Sequence, residues 1–351
     1  MEQKIVLVGM SGGVDSSVAA AILLEQGYQV IGITLKVMPD IALPSRDAKE
    51  VCNTLGIAHH IIDASDAFRK VVVENFKSEY ACGRTPNPCV LCNRQIKFSF
   101  IMDLLSDYGA EYLATGHYAG IDYCPQTGRY LLSRSKADKK DQTYFLYALT
   151  QEQLAHTLFP LRPYTKEDVR DMAKQFSLPT AEKADSQEIC FIPDNDYISY
   201  LLEKTDVVES PGNFIAKDGT ILGQHKGVIH YTIGQRKGLG IALNRPLYVL
   251  SIHAGRNEVV LGDETDLYHN ELTVRAGNFI PFAELTSPQR VMSKIRYAAK
   301  EAPAVIQPIP GERYKVRVTF TEPQKAITPG QSAVFYDGDT IVGGGIIDTV
   351  E

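Results

Sequence analysis

Three cysteines and one glycine–serine loop are the residues of this 351-residue chain best suited to chemistry. Cys89 and Cys92 form a Cys-x-x-Cys pair within Gly83-Arg84-Thr85-Pro86-Asn87-Pro88-Cys89-Val90-Leu91-Cys92-Asn93, and Cys190 comes much later, in Ile189-Cys190-Phe191. Such a pair admits structural zinc, a dithiol redox couple or part of an iron–sulfur site. Cys82 is a candidate further ligand of a local zinc knuckle. An apolar stripe at Ile96, Phe100, Ile101, Leu104 and Leu105 has helical spacing. Cys92 should therefore lie close to a helix N-terminus, with Arg84, Arg94 and Lys97 nearby in sequence, and both features favour thiolate over thiol. Pro86 and Pro88 stiffen the approach and reduce the entropy lost on ordering it. Cys52 and Cys124 fall in a helix pattern and a hairpin and read as packing residues.

The loop is Gly9-Met10-Ser11-Gly12-Gly13-Val14-Asp15-Ser16, set between an apolar strand and a helix. Glycines let the backbone approach an anion, serine hydroxyls add donors, and the helix N-terminus contributes about half a positive charge. Asp15 is placed to help hold Mg²⁺ on a pyrophosphate. No lysine follows the glycines, so this is not the Gly-x-x-x-x-Gly-Lys-Ser/Thr loop, nor is it Gly-x-Gly-x-x-Gly.

The elements that must position these groups alternate strand and helix. Ile5–Val8, Val30–Leu35, His59–Asp63 and Glu111–Thr115 read as strands, and Val18–Gln26, Ser45–Leu55 and Phe68–Tyr80 as helices. Repeated βα units imply a doubly wound parallel sheet, with ligands beyond the strand C-termini. Tyr118–Ser133 reads as a hairpin turned at Thr127-Gly128, and Gln142–Leu149, Gln151–Leu158, Lys166–Phe176 and Tyr197–Glu203 as helices. After about residue 205 glycine and proline become frequent and short alternating runs dominate, among them Val249–Ile252, Val259–Leu261, Tyr314–Phe320, Ala333–Tyr336 and Ile341–Ile347. Two small β-rich modules divided near 268 are expected, giving domains 1–205, 206–268 and 269–351.

Composition is that of a globular protein, 44% hydrophobic and 22% charged, which excludes wholesale disorder. No apolar run approaches the ~18–20 residues of a membrane span, and Met1–Lys4 begins no secretory signal. The expected location is the cytoplasm, where six cysteines point to metal or redox chemistry rather than a disulfide framework. The net charge of −6 requires any nucleic acid to be held by local patches. One candidate is Arg290–Lys325, with eight Lys/Arg against three Asp/Glu.

The glycine loop matches the Ser-Gly-Gly-x-Asp-Ser loop of the PP-loop ATP pyrophosphatases. Over nearly its whole length the chain is similar to the bacterial tRNA-specific 2-thiouridylases (the MnmA/TrmU family). The segments that carry the resemblance are Gly9–Ser16, Gly83–Phe98, Ala114-Thr115-Gly116-His117-Tyr118-Ala119, Lys139-Lys140-Asp141-Gln142, Asp185–Ile192, Pro211-Gly212-Asn213-Phe214 and Tyr231–Gly240. The resemblance implies an α/β fold: an N-terminal PP-loop domain of adenine nucleotide alpha hydrolase type, a small central tRNA-binding domain and a C-terminal β-barrel. It implies a substrate, the wobble uridine (position 34) of tRNAs for Lys, Glu and Gln, and a sulfur-donor protein or sulfide, with no DNA or membrane partner. ATP with Mg²⁺ would be held by Gly9, Met10, Ser11, Gly12, Gly13, Val14, Asp15 and Ser16, by the backbone at Leu35 and by Gly116. Asn87, Pro88 and Cys89 match positions that handle the target base. His117, Lys140, Asp141, Gln142, Arg296, Tyr297 and Gln331 match tRNA-contacting positions. Cys92 matches the nucleophile and Cys190 the persulfide carrier.

Two departures matter. The family's Met-Lys segment after the second strand is Leu35-Lys36 here, which a backbone contact would survive, and the usual Trp beyond it is missing. Many members also have Asp where this chain has Cys89. The resulting trio Cys89, Cys92 and Cys190 resembles the 4Fe-4S binding set of other RNA thiolases, with soft thiolate ligands and one iron left open to carry sulfide. Two sulfur routes follow: a persulfide relay from Cys190 to Cys92, and a cluster held by all three cysteines, which the extra thiol favours. An amide- or amidine-forming PP-loop ligase acting on a small molecule would need neither the trio nor the β-rich third. A zinc-bearing tRNA-binding protein would not need an intact nucleotide loop.

Overall fold

The structure is a computed structural model, and it describes residues 3–38, 43–137, 140–184, 189–192, 196–241 and 245–351. In chain order the first strands are β1 (Ile5–Gly9), β2 (Gln29–Lys36), β3 (Ala58–Asp63) and β4 (Tyr112–Ala114). A hairpin of β5 (Gly120–Cys124) and β6 (Arg129–Ser133) follows, then the two-residue β7 (Thr157–Leu158). A parallel sheet forms in the order β3-β2-β1-β4-β7. Val6, Leu7 and Val8 of β1 are all fully buried, as a central parallel strand covered on both faces requires. Successive side chains point to opposite faces: Leu7 joins Ile33, Phe98 and Ile101 on one side, and Val6 and Val8 join Val18, Ile22 and Leu23 on the other. The last three belong to helix α1 (Val14–Glu25), which ends before Gly27 at φ +87°. Strand order reverses at β1 and β4, so ligands belong in the crevice beyond their C-termini.

Two helices expected from the sequence are shorter than their patterns suggest. Gln151–Leu158 is helical only to Ala155, because Thr157 and Leu158 pair with Leu113 and Ala114 of β4. Gln142–Leu149 contains a single 3₁₀ turn at Thr143–Phe145. The Asp141 carboxylate takes the Thr143 amide and hydroxyl at 3.1 and 2.7 Å, a local bond that competes with helix. The Tyr144 and Tyr147 hydroxyls reach Ser332 instead.

A second sheet contains β8 (Gly212–Ala216), β9 (Ile221–His225), β10 (Tyr248–His253) and β11 (Glu258–Gly262), ordered β10-β11-β8-β9 around Phe214, Val249 and Val259. The third contains β12 (Tyr268–Phe279), β13 (Gln289–Lys294), β14 (Ala302–Ile309), β15 (Glu312–Lys325), β16 (Ser332–Asp337) and β17 (Thr340–Val350). Its order β12-β15-β14-β13-β16-β17, with β12 also paired to β17, closes a six-stranded barrel. The β5–β6 hairpin attaches to this barrel through Ser133 and Thr340, so the first domain and the last share a sheet. Among the described residues no helix is long and apolar enough to cross a membrane.

Candidate active site

The phosphate loop leaves β1 and enters α1 with its amides open. Gly13 caps the helix with no side-chain bond, so the first-turn N–H groups keep the unsatisfied character that attracts anions. Gly12 takes φ +69°, a conformation L side chains rarely adopt. Ser16 Oγ accepts from the Ser11 amide at 3.3 Å and Ser17 Oγ donates to Gly13 O at 2.8 Å, which braces the turn. The buried Met10 donates its amide to Ile33 O at 2.8 Å, joining the loop to the end of β2, where Leu35 lies half-buried. Gly116 packs on the same turn: a Cβ there would lie 2.6 Å from the Asp15 carbonyl carbon and the Ser16 nitrogen. Asp15 Oδ1 accepts from Tyr118 Oη at 2.9 Å and Lys166 Nζ at 2.6 Å. It is thus already in a charge pair, and holding Mg²⁺ would mean exchanging that ammonium for the cation.

The cysteines converge on one face of the crevice. Helix begins at Pro88, not beyond Cys92, and continues through Cys92, then a π-helical stretch Asn93–Phe98, then Ser99–Asp103. Cys92 and Ile96 share a buried cluster with Phe68, Phe76, Phe191 and Ile192. The Phe191 ring lies 5.3 Å from Phe68 and 5.5 Å from Phe76, which anchors the residue next to Cys190 on the Ser65–Ala81 helical run, in the same buried cluster as Cys92. Cys89, Cys92 and Cys190 are all within electrostatic range of Lys97, and Cys190 within range of both others. In an α-helix residues five apart point about 140° apart. Wider i→i+5 turns, found mostly at functional sites, bring Lys97 back toward the face of Cys92.

Cys92 sits within the helix and is 6% exposed. Burial, acting before the lowering influence of Lys97, pushes its thiol up to about 12. Burial thus outweighs the two features that favour thiolate, and Arg84 is in any case drawn away to Glu79 and Ile347 O. Cys89 and Cys190 are likewise raised, chiefly by desolvation, although both keep exposed surface. Lys97 is also exposed; desolvation opposes its charge, and the sulfurs of Cys92, Cys190 and Cys89 more than offset this. These groups keep some water contact while the chain packed around them strips away part of their solvation. The π turn was not legible in the sequence; the influence of Lys97 on Cys92, read from its nearness in the chain, is present, and it extends to Cys89 and Cys190. Among the described residues no three His, Cys, Asp or Glu are arranged to hold a metal ion. Among those residues the three sulfurs therefore form no preformed metal site, whether a cluster or a zinc knuckle with Cys82.

One short loop links the two halves of the site. In Thr115-Gly116-His117-Tyr118, Gly116 packs on the phosphate loop, and His117 packs on Phe98 and Phe159 within range of Lys97. Thr115 Oγ1 meets His117 Nδ1 at 2.7 Å. Gln142 accepts the Tyr118 amide at 2.9 Å and so fixes the exit of this loop.

The remaining positions gather at the rim. Asn87 bonds the Tyr144 phenol, which lies within range of Arg296. The Tyr297 ring packs on Phe145 at 4.6 Å, tilted by 38°, and is within range of Asp141 and Lys140. Gln331 reaches the Thr85 and Pro86 carbonyls, just before Asn87 and Pro88. Half of the basic stretch is neutralised by Arg313–Glu284, Lys315–Glu312, Arg317–Glu271 and Lys325–Glu264 pairs. Lys294 and the exposed Arg296 flank Tyr297 and concentrate the remaining charge beside the pocket. Lys139 and Asp185–Glu188, parts of two segments singled out in the sequence, lie outside the described residues.

Three family models match in succession: a tRNA methyl transferase HUP domain over residues 4–194, a tRNA methyl transferase PRC-barrel domain over 200–263 and an aminomethyltransferase beta-barrel domain over 269–347. The tRNA-specific 2-thiouridylase MnmA of Acetivibrio thermocellus is 54% identical over 360 residues, covering 99% of this chain and 100% of that protein. Its namesake in Clostridium acetobutylicum is 48% identical over 98% of this chain and 99% of its own. The tRNA-specific 2-thiouridylase MnmA 2 of Clostridium tetani is 51% identical over 99% of both.

Proposed function

The chain belongs to the family of tRNA-specific 2-thiouridylases, ATP-dependent enzymes that put sulfur into tRNA, and from that membership we propose how its own residues divide the work. The substrate is the wobble uridine of tRNAs for Lys, Glu and Gln, a substrate that places the reaction in the cytoplasm. The observation that carries the reading is the Thr115–Tyr118 loop, where Gly116 packs on the phosphate loop and the next residue, His117, lies within electrostatic range of Lys97, the cation shared by the three cysteines.

The uridine leaves the anticodon stack, because its carbonyl must meet the α-phosphorus of ATP inside the crevice. Base stacking on the Tyr297–Phe145 rings and phosphate contacts from Lys294 and Arg296 hold the unstacked strand. The oxygen at position 2 attacks the α-phosphorus and pyrophosphate departs. Open amides at the start of α1 stabilise the charge that develops, and Mg²⁺, which Asp15 would help hold, would supply further electrostatic stabilisation there. Adenylation turns a poor leaving oxygen into AMP.

Sulfur follows from a persulfide on Cys190, charged by a persulfide-carrying donor protein. The Cys92 sulfur, having given up its proton, attacks the inner sulfur of that persulfide and releases hydrosulfide. Hydrosulfide adds to carbon 2 and AMP leaves with the former oxygen. The terminal sulfur gains two electrons as Cys92 and Cys190 become a disulfide, which an external thiol must reduce before the next turnover. Lys97 is the cation beside each sulfur that becomes anionic.

Mass spectrometry of tRNA nucleosides after incubation with ATP and a persulfide donor tests this. Cys92→Ala and Cys190→Ala should each abolish 2-thiouridine while tRNA-stimulated release of pyrophosphate continues, and Cys89→Ala should retain activity. Loss of activity with Cys89→Ala, together with iron and sulfide in anaerobically purified protein, would instead support a 4Fe-4S centre on Cys89, Cys92 and Cys190. Retention of 2-thiouridine formation in either of the first two variants would overturn the relay.

A further inference from the structure

The phosphate loop carries no lysine of its own between Gly9 and Ser16, yet a nucleoside triphosphate there brings several negative charges into a narrow crevice. Folding delivers two ammonium groups from far along the chain. Lys166 is buried and pairs with Asp15 at 2.6 Å, which neutralises the loop's own carboxylate. Lys183 is different. Its Nζ donates to the carbonyl oxygen of Gly12 at 2.8 Å and pairs with Asp47 of helix Leu43–Leu55 at 2.5 Å. It keeps 41% of its side-chain surface exposed, and Asp47 keeps 26%. An ammonium in contact with the left-handed turn of the loop is within reach of an anion seated on that turn. A flexible four-carbon stem lets it act as a mobile point charge.

We propose that Lys183 is the phosphate-binding cation of this loop, contacting the outer phosphates of the bound nucleotide, and that Asp47 holds it at the loop's edge until the nucleotide arrives. Lys183 thereby takes the place in space that the lysine of other phosphate loops takes in sequence. It lies a few residues before Cys190 in the chain, so the segment that seats the outer phosphates also leads to the sulfur-carrying cysteine. The proposal rests on the ATP-dependent reading of the loop.

Opposite signs for two substitutions separate a phosphate ligand from a structural strap. Calorimetric titration of the full chain with a non-hydrolysable ATP analogue and with AMP is the measurement. Removing one charge-assisted contact should cost roughly ten- to a hundredfold in affinity. Lys183→Ala should weaken the analogue by that factor and AMP by less than about threefold, and Lys183→Arg should recover most of the loss. Asp47→Asn should leave the analogue as tight as in the wild type or tighten it. If Lys183→Ala and Asp47→Asn weaken the analogue alike, or if Lys183→Ala binds it normally, the proposal falls. A wild-type chain that binds neither nucleotide overturns the ATP reading itself, which a loss confined to Lys183→Ala does not.

Discussion

The Gln331 amide of the barrel donates to the carbonyl oxygen of Thr85 at 3.0 Å and to that of Pro86 at 3.2 Å, so the last domain holds the loop that delivers Cys89. The grip is reciprocal. The Thr85 amide donates to Pro329 O at 2.9 Å, and a Cβ on Gly330, at φ +94°, would lie 2.8 Å from Thr85 O. Resemblance alone marks Gln331 as a tRNA contact; the side chain also sets where Asn87 and Pro88 present themselves. Gln331→Ala removes two neutral hydrogen bonds of about 1 kcal/mol each. Single-turnover thiolation at saturating tRNA should therefore slow by roughly tenfold, with tRNA affinity changed less. A variant with normal turnover and weakened tRNA binding would show a substrate contact and nothing more.

Gly116 should tolerate no side chain. The atoms a Cβ would meet at 2.6 Å belong to the backbone of the first turn of α1, which cannot rotate away as a flexible side chain could. Gly116→Ala must push that turn or the Thr115–Tyr118 loop aside and misplace the amides that face phosphate. ATP affinity should fall at least about tenfold, roughly 1.4 kcal/mol, while filter binding of tRNA stays within twofold of the wild type. Equal loss of both would mean a general folding defect.

Much of this arrangement was legible in the residues. The apolar Ile5–Val8 run and the glycines after it place a strand, a turn and a helix start, because backbone approach and buried parallel strands each restrict residue type narrowly. The π-helical stretch at Asn93–Phe98 was not legible, since Ile96, Phe100 and Leu104 keep ordinary helical spacing while the backbone hydrogen bonds widen. The burial of Cys92 was not legible either, because it depends on Phe68 and Phe76 of one helical run and on Phe191 from more than a hundred residues further on. The hairpin at Gly120–Ser133 read correctly as a hairpin, but nothing local tells that its second strand attaches to β17, more than two hundred residues on.

Glu79 bridges two arginines from different domains, and its loss should loosen the barrel. Its carboxylate accepts from Arg84 Nε and from Arg275 Nη2, both at 2.8 Å, and is only 14% exposed. Arg84 also donates to Ile347 O at 2.8 Å. Truncating the acid leaves the two guanidinium groups with Asp348 as their shared carboxylate, at 3.5 and 3.4 Å, in a partly dry seam, at a cost of about 1–3 kcal/mol. Urea denaturation of Glu79→Ala should show that loss, and Glu79→Ala combined with Arg275→Ala should cost less than the sum of the two single changes. Strict additivity would mean that the pair contributes nothing across the seam.

His117 should stay neutral throughout the working pH range. Desolvation, followed by the positive charge of Lys97, lowers it to about 3, far under the ordinary imidazole value near 6.5. Between those two values the unfolded chain binds a proton at this position and the folded chain does not, so stability is lost as pH falls below about 6.5. The slope from this one group is at most about 1.4 kcal/mol per pH unit. Substituting a group that cannot titrate removes that contribution: His117→Gln should lose less stability than the wild type between pH 6.5 and 4, with the carboxylates acting alike in both. The imidazole resonances of His117 should show no titration near pH 6.5, and the rate of thiolation should show no limb there traceable to this residue. A His117 that protonates near 6.5 would mean that its ring is solvated rather than held between Phe98 and Phe159 beside Lys97, and the desolvation read for the neighbouring sulfurs would be in doubt with it.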